Sequence, residues 1–436
     1  MARAKKEAAL TPEERLQAAL VPDWEWPYKL PENWCWTYFK SISTIQTGRK
    51  DANYGSDEGK YPFFTCAAEP IRCHGYSFDC RAILLAGNGD INNISRYNGK
   101  FEAYQRTYVV KIAEPLCFDY IFYWFKYRWF DFNKGKMFGT AIPYIRLGNL
   151  QEFPTPIPPL AEQQRIVDRI ESLFSKLDEA KEKAQAVVDS FEIRKAAILH
   201  KAFTGELTAK WREEHGVRME SWEVRTLDSV CSSIFDGDHM PPPKAESGIP
   251  FLVISNVNTG HLTFENTRFV PQEYYDTLSD TRKPQLGDVL YTLVGSFGIP
   301  VVVNSKRPFC FQRHMALLRP IDVSPQFLWY ILQTPEMYDK ASSIATGTAQ
   351  LTVPIKGLRA MTIPRPNIAE QVEIVRILDG FFAREQSAKE VAEAVLAQID
   401  LMKKSILARA FRGELGTNDP NEESAVELLK KVFQKE

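Results

Sequence analysis

Cys66, Cys73, His74 and Cys80 supply the thiol and imidazole donors that a zinc site uses. Six residues separate the first two cysteines and five separate His74 from Cys80, which matches no familiar finger or ribbon. Packed free thiols are the expected state, and no metal is assigned. Asp236-Gly237-Asp238-His239 also offers ligands, but the commoner reading of such a stretch is a loop turn. Asp178-Glu179-Ala180-Lys181 resembles part of a nuclease carboxylate set, yet it falls inside a heptad-patterned helix, where such charges usually form a solvated face. No glycine-rich phosphate loop, serine elbow or HExxH occurs, and no Asn-Pro-Pro-Tyr or Asp-Pro-Pro-Tyr of an amino-methyltransferase. No residue is assigned a catalytic role.

What remains suits binding. Reading DNA takes cations on phosphate and planar polar groups on base edges, Arg for guanine and Gln or Asn for adenine. The first half of the chain offers Arg49, Lys50, Asn92, Arg96, Gln105 and Arg106. The second offers Lys244, Ser296, Lys306, Arg307, Gln312, Arg313 and His314. Each, taken singly, also reads as an ordinary surface residue. The whole-chain net charge of −1 does not decide the matter, because a local patch is independent of the total.

The elements that must position these loops are announced by a repeat. Residues 161–207 recur at 369–415, displaced by a constant 208. Ala161-Glu162-Gln163 becomes Ala369-Glu370-Gln371, and Phe203-Thr204-Gly205-Glu206-Leu207 becomes Phe411-Arg412-Gly413-Glu414-Leu415. In the first copy Ile166, Ile170, Leu173, Leu177, Ala180, Ala184, Val187, Phe191, Arg194 and Ile198 step alternately by four and three. Ile374, Leu378, Phe381, Glu385, Ala388, Ala392, Val395, Ile399, Met402 and Ile406 do so in the second. A 3.5-residue period keeps one stripe facing one partner helix, so two long coiled-coil helices are expected, antiparallel to each other. Each would be a rod on the order of 65 Å at 1.5 Å per residue. Gly205 and Gly413 suit the left-handed position that ends a helix.

The fold class is thus α+β: two similar mixed α/β domains separated by two long antiparallel helices, with an internal pseudo-twofold repeat. The expected segments are an N-terminal helix and arm (1–26), a first domain (27–158), a first spacer helix (159–207), a linker and second domain (208–366), a second spacer helix (367–415), and a tail with a short helix (416–436). Thr11, Pro12 and Glu14 form a helix-starting capping box. In the first domain 61–65, 82–86 and 107–112 read as strands, 118–130 as a buried helix, and Gly87–Asp90 and Tyr97–Lys100 as tight turns. The second domain echoes the first: Trp222 stands for Trp34, Gly237 for Gly48, Gln312-Arg313 for Gln105-Arg106, 325–332 for 118–125, and Gly347-Thr348-Ala349 for Gly139-Thr140-Ala141. At 436 residues, 44% apolar and 25% charged, the chain is ordinary for a globular protein of two to three domains. Seven scattered cysteines, no transmembrane run and no signal-peptide core give a cytoplasmic protein as the expectation, with no membrane partner.

The paired helices with AEQ starts and AFxGEL ends, the proline-rich approach to each, and the stretch Gly347–Leu358 with its counterpart Gly139–Leu150 resemble the specificity subunit of Type I restriction–modification systems. The resemblance spans 27–415 and agrees in order, spacing and repeat. It implies a non-catalytic chain whose two target-recognition domains each read one half of a split, asymmetric site in double-stranded DNA. It implies two methyltransferase subunits as partners, with translocating restriction subunits joining through them. S-adenosylmethionine, ATP and Mg are then expected on those partners and no cofactor on this chain. Arg169, Phe174 and Val188, outside the heptad seam, are candidate methyltransferase contacts or else part of a wider intrachain seam. A self-sufficient nuclease or methyltransferase, a protein-only scaffold and a partnerless or silent cassette are the rival readings.

Overall fold

The computed structural model describes residues 11–237 and 242–435. The chain forms two compact units, one built from residues up to Ala184 together with Ala394 onward, the other from Gln185–Glu393. No helix among the described residues is long and apolar enough to cross a membrane.

In the first unit the strands are β1 (Cys35–Tyr38), β2 (Ser43–Thr47), β3 (Tyr61–Phe64), β4 (Ile71–Cys73), β5 (Phe78–Ala86), β6 (Ile94–Ala103), β7 (Thr107–Ile112) and β8 (Pro154–Ile157). Six of them form one sheet in the order β2-β7-β5-β6-β3-β4, and β1 pairs antiparallel with β8. The cluster Tyr97-Asn98-Gly99-Lys100, expected to turn, instead runs through the middle of β6. Strand β5 reaches back to Phe78 and gives every residue there a partner, Cys80 opposite Gly99 and Phe78 opposite Phe101. The turn lies at 87–93, where the other glycine cluster sits.

The helix Phe118–Asn133 lies against β8 rather than in solvent, because its aromatic run has polar tips that find backbone partners. The Tyr120 hydroxyl donates to the Pro156 carbonyl (3.0 Å) and the Trp124 indole to that of Pro154 (3.1 Å). Trp124 stacks on Phe153 at 5.6 Å, and Trp36, Phe39, Phe125 and Phe411 complete the same core. Thr11 and Glu14 make the expected reciprocal cap of the N-terminal helix Pro12–Ala19.

The second unit repeats this plan. Its strands are β9 (Glu223–Thr226), β10 (Cys231–Asp236), β11 (Ile249–Leu252), β12 (Arg268–Val270), β13 (Val289–Thr292), β14 (Pro300–Val302), β15 (Cys310–Phe311), β16 (Met315–Pro320) and β17 (Thr362–Arg365). Strand β9 pairs with β17 as β1 does with β8. The single strand β6 has become two, β14 and β15. The former pairs with β13 and the latter runs parallel to β11, so one sheet of the first unit is two sheets here, β10-β16-β13-β14 and β12-β11-β15.

The long helices differ from the sequence expectation first in continuity. Residues 368–410 form a single helix, Ile368–Ala410, but the first copy is divided into Leu160–Asp189 and Phe191–Phe203. Ser190 is the interruption. Its hydroxyl bonds back to the carbonyls of Ala186 and Val187, which competes with the helical ladder and bends it. Gly205 and Gly413 come after the helix ends with φ of +85° and +72°, in the left-handed region.

Within each unit the helices run antiparallel. In the second unit Lys389 covers Phe191 and Glu385 receives the Arg194 guanidinium at 2.7 Å. In the first, Asp178 meets Lys403 at 2.5 Å, while Ile166 and Ile170 share a core with Leu407, Ala410 and Phe411. Ile166, Ile170, Leu173, Leu177, Val187, Phe191 and Ile198 are all buried or half-buried, as are Ile374, Leu378, Phe381, Val395, Ile399 and Ile406. Met402 is not, being 46% exposed. Lys403 takes the inward position instead, its stem over Phe174 and its ammonium on Asp178. Arg169 is exposed and Val188 half-buried, while Phe174 packs edge-on against Tyr123 and so belongs to the intrachain core.

The AEQ repeat has a physical cause. Gln163 and Gln371 are fully buried at the starts of the two long helices. The Gln163 amide donates to the Pro158 carbonyl (3.0 Å) and accepts from the Cys117 N–H (2.8 Å), tying the helix to the strand before it and to the start of the aromatic helix. Gln371 does the same with Pro366 (3.0 Å) and Ser324 (2.9 Å). Beside it Glu370, also fully buried, accepts from Thr208, Arg212 and Trp222. Its counterpart Glu162 accepts from Thr417 and Arg165. Replacing Gln371 by Leu should keep the volume and orphan one N–H and one carbonyl. The expected loss is about 1–3 kcal/mol for each group, read as a lower urea midpoint for the second unit with unchanged slope.

Candidate nucleic-acid interface

At one end of each sheet the same loops are held together by the same backbone bonds. In the first unit the N–H groups of Gly48, Gly87 and Ile145 donate to the carbonyls of Thr107 (3.2 Å), Arg106 (2.8 Å) and Gly87 (2.9 Å). In the second, those of Gly237, Leu293 and Val353 donate to Met315 (3.2 Å), His314 (2.8 Å) and Leu293 (2.9 Å). The glycines at the two strand exits are required by close approach. A Cβ on Gly48 would lie 1.9 Å from the Ala103 oxygen, and one on Gly237 would lie 2.2 Å from that of Phe311.

These bonds set the register between the halves, and it differs by one residue from the sequence echo. Arg106 corresponds to His314 and Gln105 to Arg313, while Tyr104 corresponds to Gln312. Tyr104 and Gln312 each donate their N–H to the end of the neighbouring strand, at Phe64 (2.9 Å) and Leu252 (3.0 Å). The shared Gln-Arg pair is a coincidence of identity. The cation therefore stands at a different place in the second turn, displaced along the chain by a residue.

Lys50, Gln105 and Arg106 come together at this end of the first unit, and Arg49 precedes Lys50 on the same strand exit. Lys50 bridges to Tyr104 and its carbonyl accepts from Gln105 (2.9 Å), whose amide donates to Asp51 (2.8 Å). Asn92 sits on the β5–β6 turn, its N–H bonded to the Asp90 carboxylate. A cavity of about 300 Å³ at this end is lined by Thr47, Gly87, Gln105, Arg106, Tyr108 and Ile145. Arg96 is elsewhere. Its guanidinium pairs with Asp119 at the start of the aromatic helix, beside Arg81 and over the Phe122 ring.

In the second unit a cavity of about 450 Å³ is lined by Asp236, Val294, Arg313, His314, Gln350 and Thr352, with Gln312 next in the chain, while Ser296 lies on the β13–β14 turn with its carbonyl held by the Thr292 hydroxyl. Burial, then the adjacent Arg313, hold the His314 imidazole below its usual value. Near neutral pH it is uncharged and can both donate and accept. Lys306 and Arg307 lie on the turn between β14 and β15, where Arg307 covers Phe264. Lys244 lies beyond the β10 exit, next to the undescribed residues. The Asp238-His239 half of the possible metal loop lies outside the described residues, and among those described no group of three or more His, Cys, Asp or Glu is placed to hold a metal ion. Cys73 is buried with its thiol on the Gly75 carbonyl (3.0 Å).

The sequence reading missed a loop. Phe138 and Tyr144 bridge to each other, as do Thr346 and Thr352, so Gly139–Pro143 and Gly347–Leu351 form matching fingers, the second of which lends Gln350 to its cavity wall. Each is pinned at its base, through Gly89 to Pro143 (2.8 Å) and Gly295 to Leu351 (3.0 Å). Gln350 and Arg146, which stacks over Phe138, add an amide and a cation there. The recurring Gly-Thr-Ala marked the finger in the sequence as a repeat, not as part of a site.

Two such loop clusters, each offering a cation beside planar amides, are what base-edge reading requires. A family model described as the Type I restriction modification DNA specificity domain matches residues 31–188 and again 219–395. The chain belongs to that family. It is a specificity chain with two DNA-specificity domains, one per unit. It is 28% identical over 415 residues to the EcoDI specificity subunit of Escherichia coli, covering 89% of this chain and 92% of the relative. It is 25% identical to the EcoBI specificity subunit of the same species, over 82% and 80%. In fold it is similar to the HsdS subunit from Thermoanaerobacter tengcongensis, with a TM-score of 0.62 at 22% identity, over 90% of this chain and all of that one. Another solved structure, described as concerning complex assembly and conformational transition of the type I R-M system, gives 0.64 at 22% identity.

Both cavities' arginines are exposed, so their removal should leave the fold intact. Arg106→Ala and Arg313→Ala are each expected to weaken binding to a target duplex by about 1–3 kcal/mol and to relax preference at one position, measured by fluorescence anisotropy against single-base variants. Unfolding midpoints should not move.

Proposed function

We propose that this chain reads a bipartite, asymmetric site in double-stranded DNA, one half with the loop cluster around Gln105 and Arg106 and the other with that around Arg313 and His314. The observation that carries this is the pair of equivalent clusters whose backbone is the same and whose side chains are not. One scaffold carrying unlike readers is suited to two unlike half-sites. The chain itself performs no chemistry in this reading. It docks two methyltransferase subunits and, through them, restriction subunits, and the S-adenosylmethionine, ATP and Mg belong to those partners. Its place is the cytoplasm, with the chromosome.

The long helices act as the ruler between the two readings. A domain pair on a stiff scaffold fixes half-site spacing by geometry. A base-resolution map of N6-methyladenine in the native host, with and without this gene, tests the function: one split motif should vanish on deletion. A variant with four residues inserted at matched heptad positions of both helices, a little over one turn or roughly 6 Å, should keep both half-sites and lengthen the unread spacer by one or two base pairs. An unchanged motif in the first experiment removes the reading, and an unchanged spacer in the second removes the ruler.

A further inference from the structure

The two units also differ beside the proline-rich approach strands, and there the difference leaves a surface open. In the first unit β1 is covered. Val21 donates its N–H to the Trp36 carbonyl (3.1 Å), Leu20 bridges antiparallel to Thr37, and the Thr37 hydroxyl donates to the Ala19 carbonyl (2.9 Å). The Trp36 indole donates to Tyr28 (3.1 Å), and the Tyr28 hydroxyl donates to the Phe411 carbonyl (3.0 Å). The arm after the N-terminal helix is thus an added strand with an aromatic anchor.

Strand β9 occupies the equivalent position, Val224 standing where Trp36 stands, since each faces the same proline of the approach strand, Pro364 and Pro156. Yet Glu223, Val224 and Arg225 are all exposed. Val224 is 75% exposed and Trp36 only 1%. The linker between the first long helix and β9 carries the helix Ala209–His215 and lays no strand beside β9. On the partner strand of β9, where Val224 faces Pro364, that proline borders a cavity of about 220 Å³ lined also by Phe203, Ile331 and Met337 and by the paired His200 and Glu336. In the first unit the same space is filled: Trp124 stands for Ile331 and Tyr127 for Thr334, both against Phe411, with Trp36 beside Trp124 at 5.8 Å. Tyr123 and Tyr330, whose hydroxyls donate to Glu171 and Asp379 on the long helices, fix that correspondence.

We infer that β9 and this cavity form a docking site for an extended segment of the methyltransferase subunit, added antiparallel to β9 with an aromatic side chain inserted between Phe203 and Ile331. Strand addition supplies affinity through backbone bonds and a pocket supplies selection. The occupant's form is dictated by the first unit, where the chain's own arm already meets both demands. The charged neighbours Glu223 and Arg225, paired at 2.8 Å, discourage indiscriminate edge pairing between copies. The consequence is that the two methyltransferase copies bind non-equivalently: the second unit accepts this segment, and the first refuses it because its own arm is in place.

The identity of the occupant rests on the function proposed above, and the test separates the two. The full chain is co-purified with a Type I methyltransferase subunit from the same host, and stoichiometry and affinity are measured by light scattering and calorimetry. Val224→Asp, at an exposed position, and Ile331→Trp, which installs the first unit's residue and fills the cavity, should each weaken one of the two binding events by about tenfold or more. A photo-crosslinking benzoylphenylalanine at position 224 should capture an aromatic-containing stretch of the methyltransferase. A wild-type complex whose two affinities are unchanged by Val224→Asp, or one with no crosslink from 224, overturns the docking site alone. If the wild-type chain forms no complex, the proposed function falls with it.

Discussion

A buried amide at the root of each long helix holds the molecule's parts in register. Gln163 and Gln371 each satisfy one carbonyl of the proline-rich approach and one N–H at the start of a domain helix. In a site closed to water, leaving either partner unmatched is costly, so the amide enforces one angle between domain and helix. The neighbouring Glu162 and Glu370 extend the joint to the segment that leaves the opposite helix end, through Thr417 in one unit and Thr208 in the other. A reading head is only as well aimed as its mount, and these four side chains are the mount.

The seam has its own specifying element. Among apolar heptad positions Arg194 and Glu385 are the charged members, and they meet at 2.7 Å. A polar pair in such a seam stabilises little but penalises every slipped alignment, which would leave two half-buried charges unmatched. Antiparallel helices with a uniform aliphatic stripe can slide by a heptad; this pair gives the second unit one favoured alignment.

The long helices, the repeat and the family are legible in the sequence because they rest on periodicity and on identities at fixed spacing. Heptad spacing alone puts Arg194 and Glu385 in the seam. Details set by contacts distant along the chain are not legible. Tyr97–Lys100 has the composition of a turn, but the length of β5 overrides it. Arg96 resembles a free cation until the aromatic helix brings Asp119 to it. The echo of Gln105-Arg106 in Gln312-Arg313 is misaligned by one residue, since residue identity suggests one register and the backbone bonds impose another. Ser190 is unremarkable in a heptad table, yet its hydroxyl divides the first helix. Met402 fits the stripe by spacing, but Lys403 reaches Asp178 and takes its place.

The second unit is one uninterrupted stretch, Gln185–Glu393, whereas the first needs the chain from Ala394 onward to complete its core, with Phe411 and Leu429 among the buried residues. Order of synthesis therefore inverts order of completion. The second unit can close on the ribosome while the first domain, made earlier, still waits for the helix that seals it. During that interval Trp124 and Tyr127 lack the Phe411 ring they pack against, and Trp36 rests on a Trp124 that is itself uncovered. The aromatic surface exposed longest in the life of the chain is thus the one nearest its beginning, and a nascent first half must be kept from other chains until its last segment arrives.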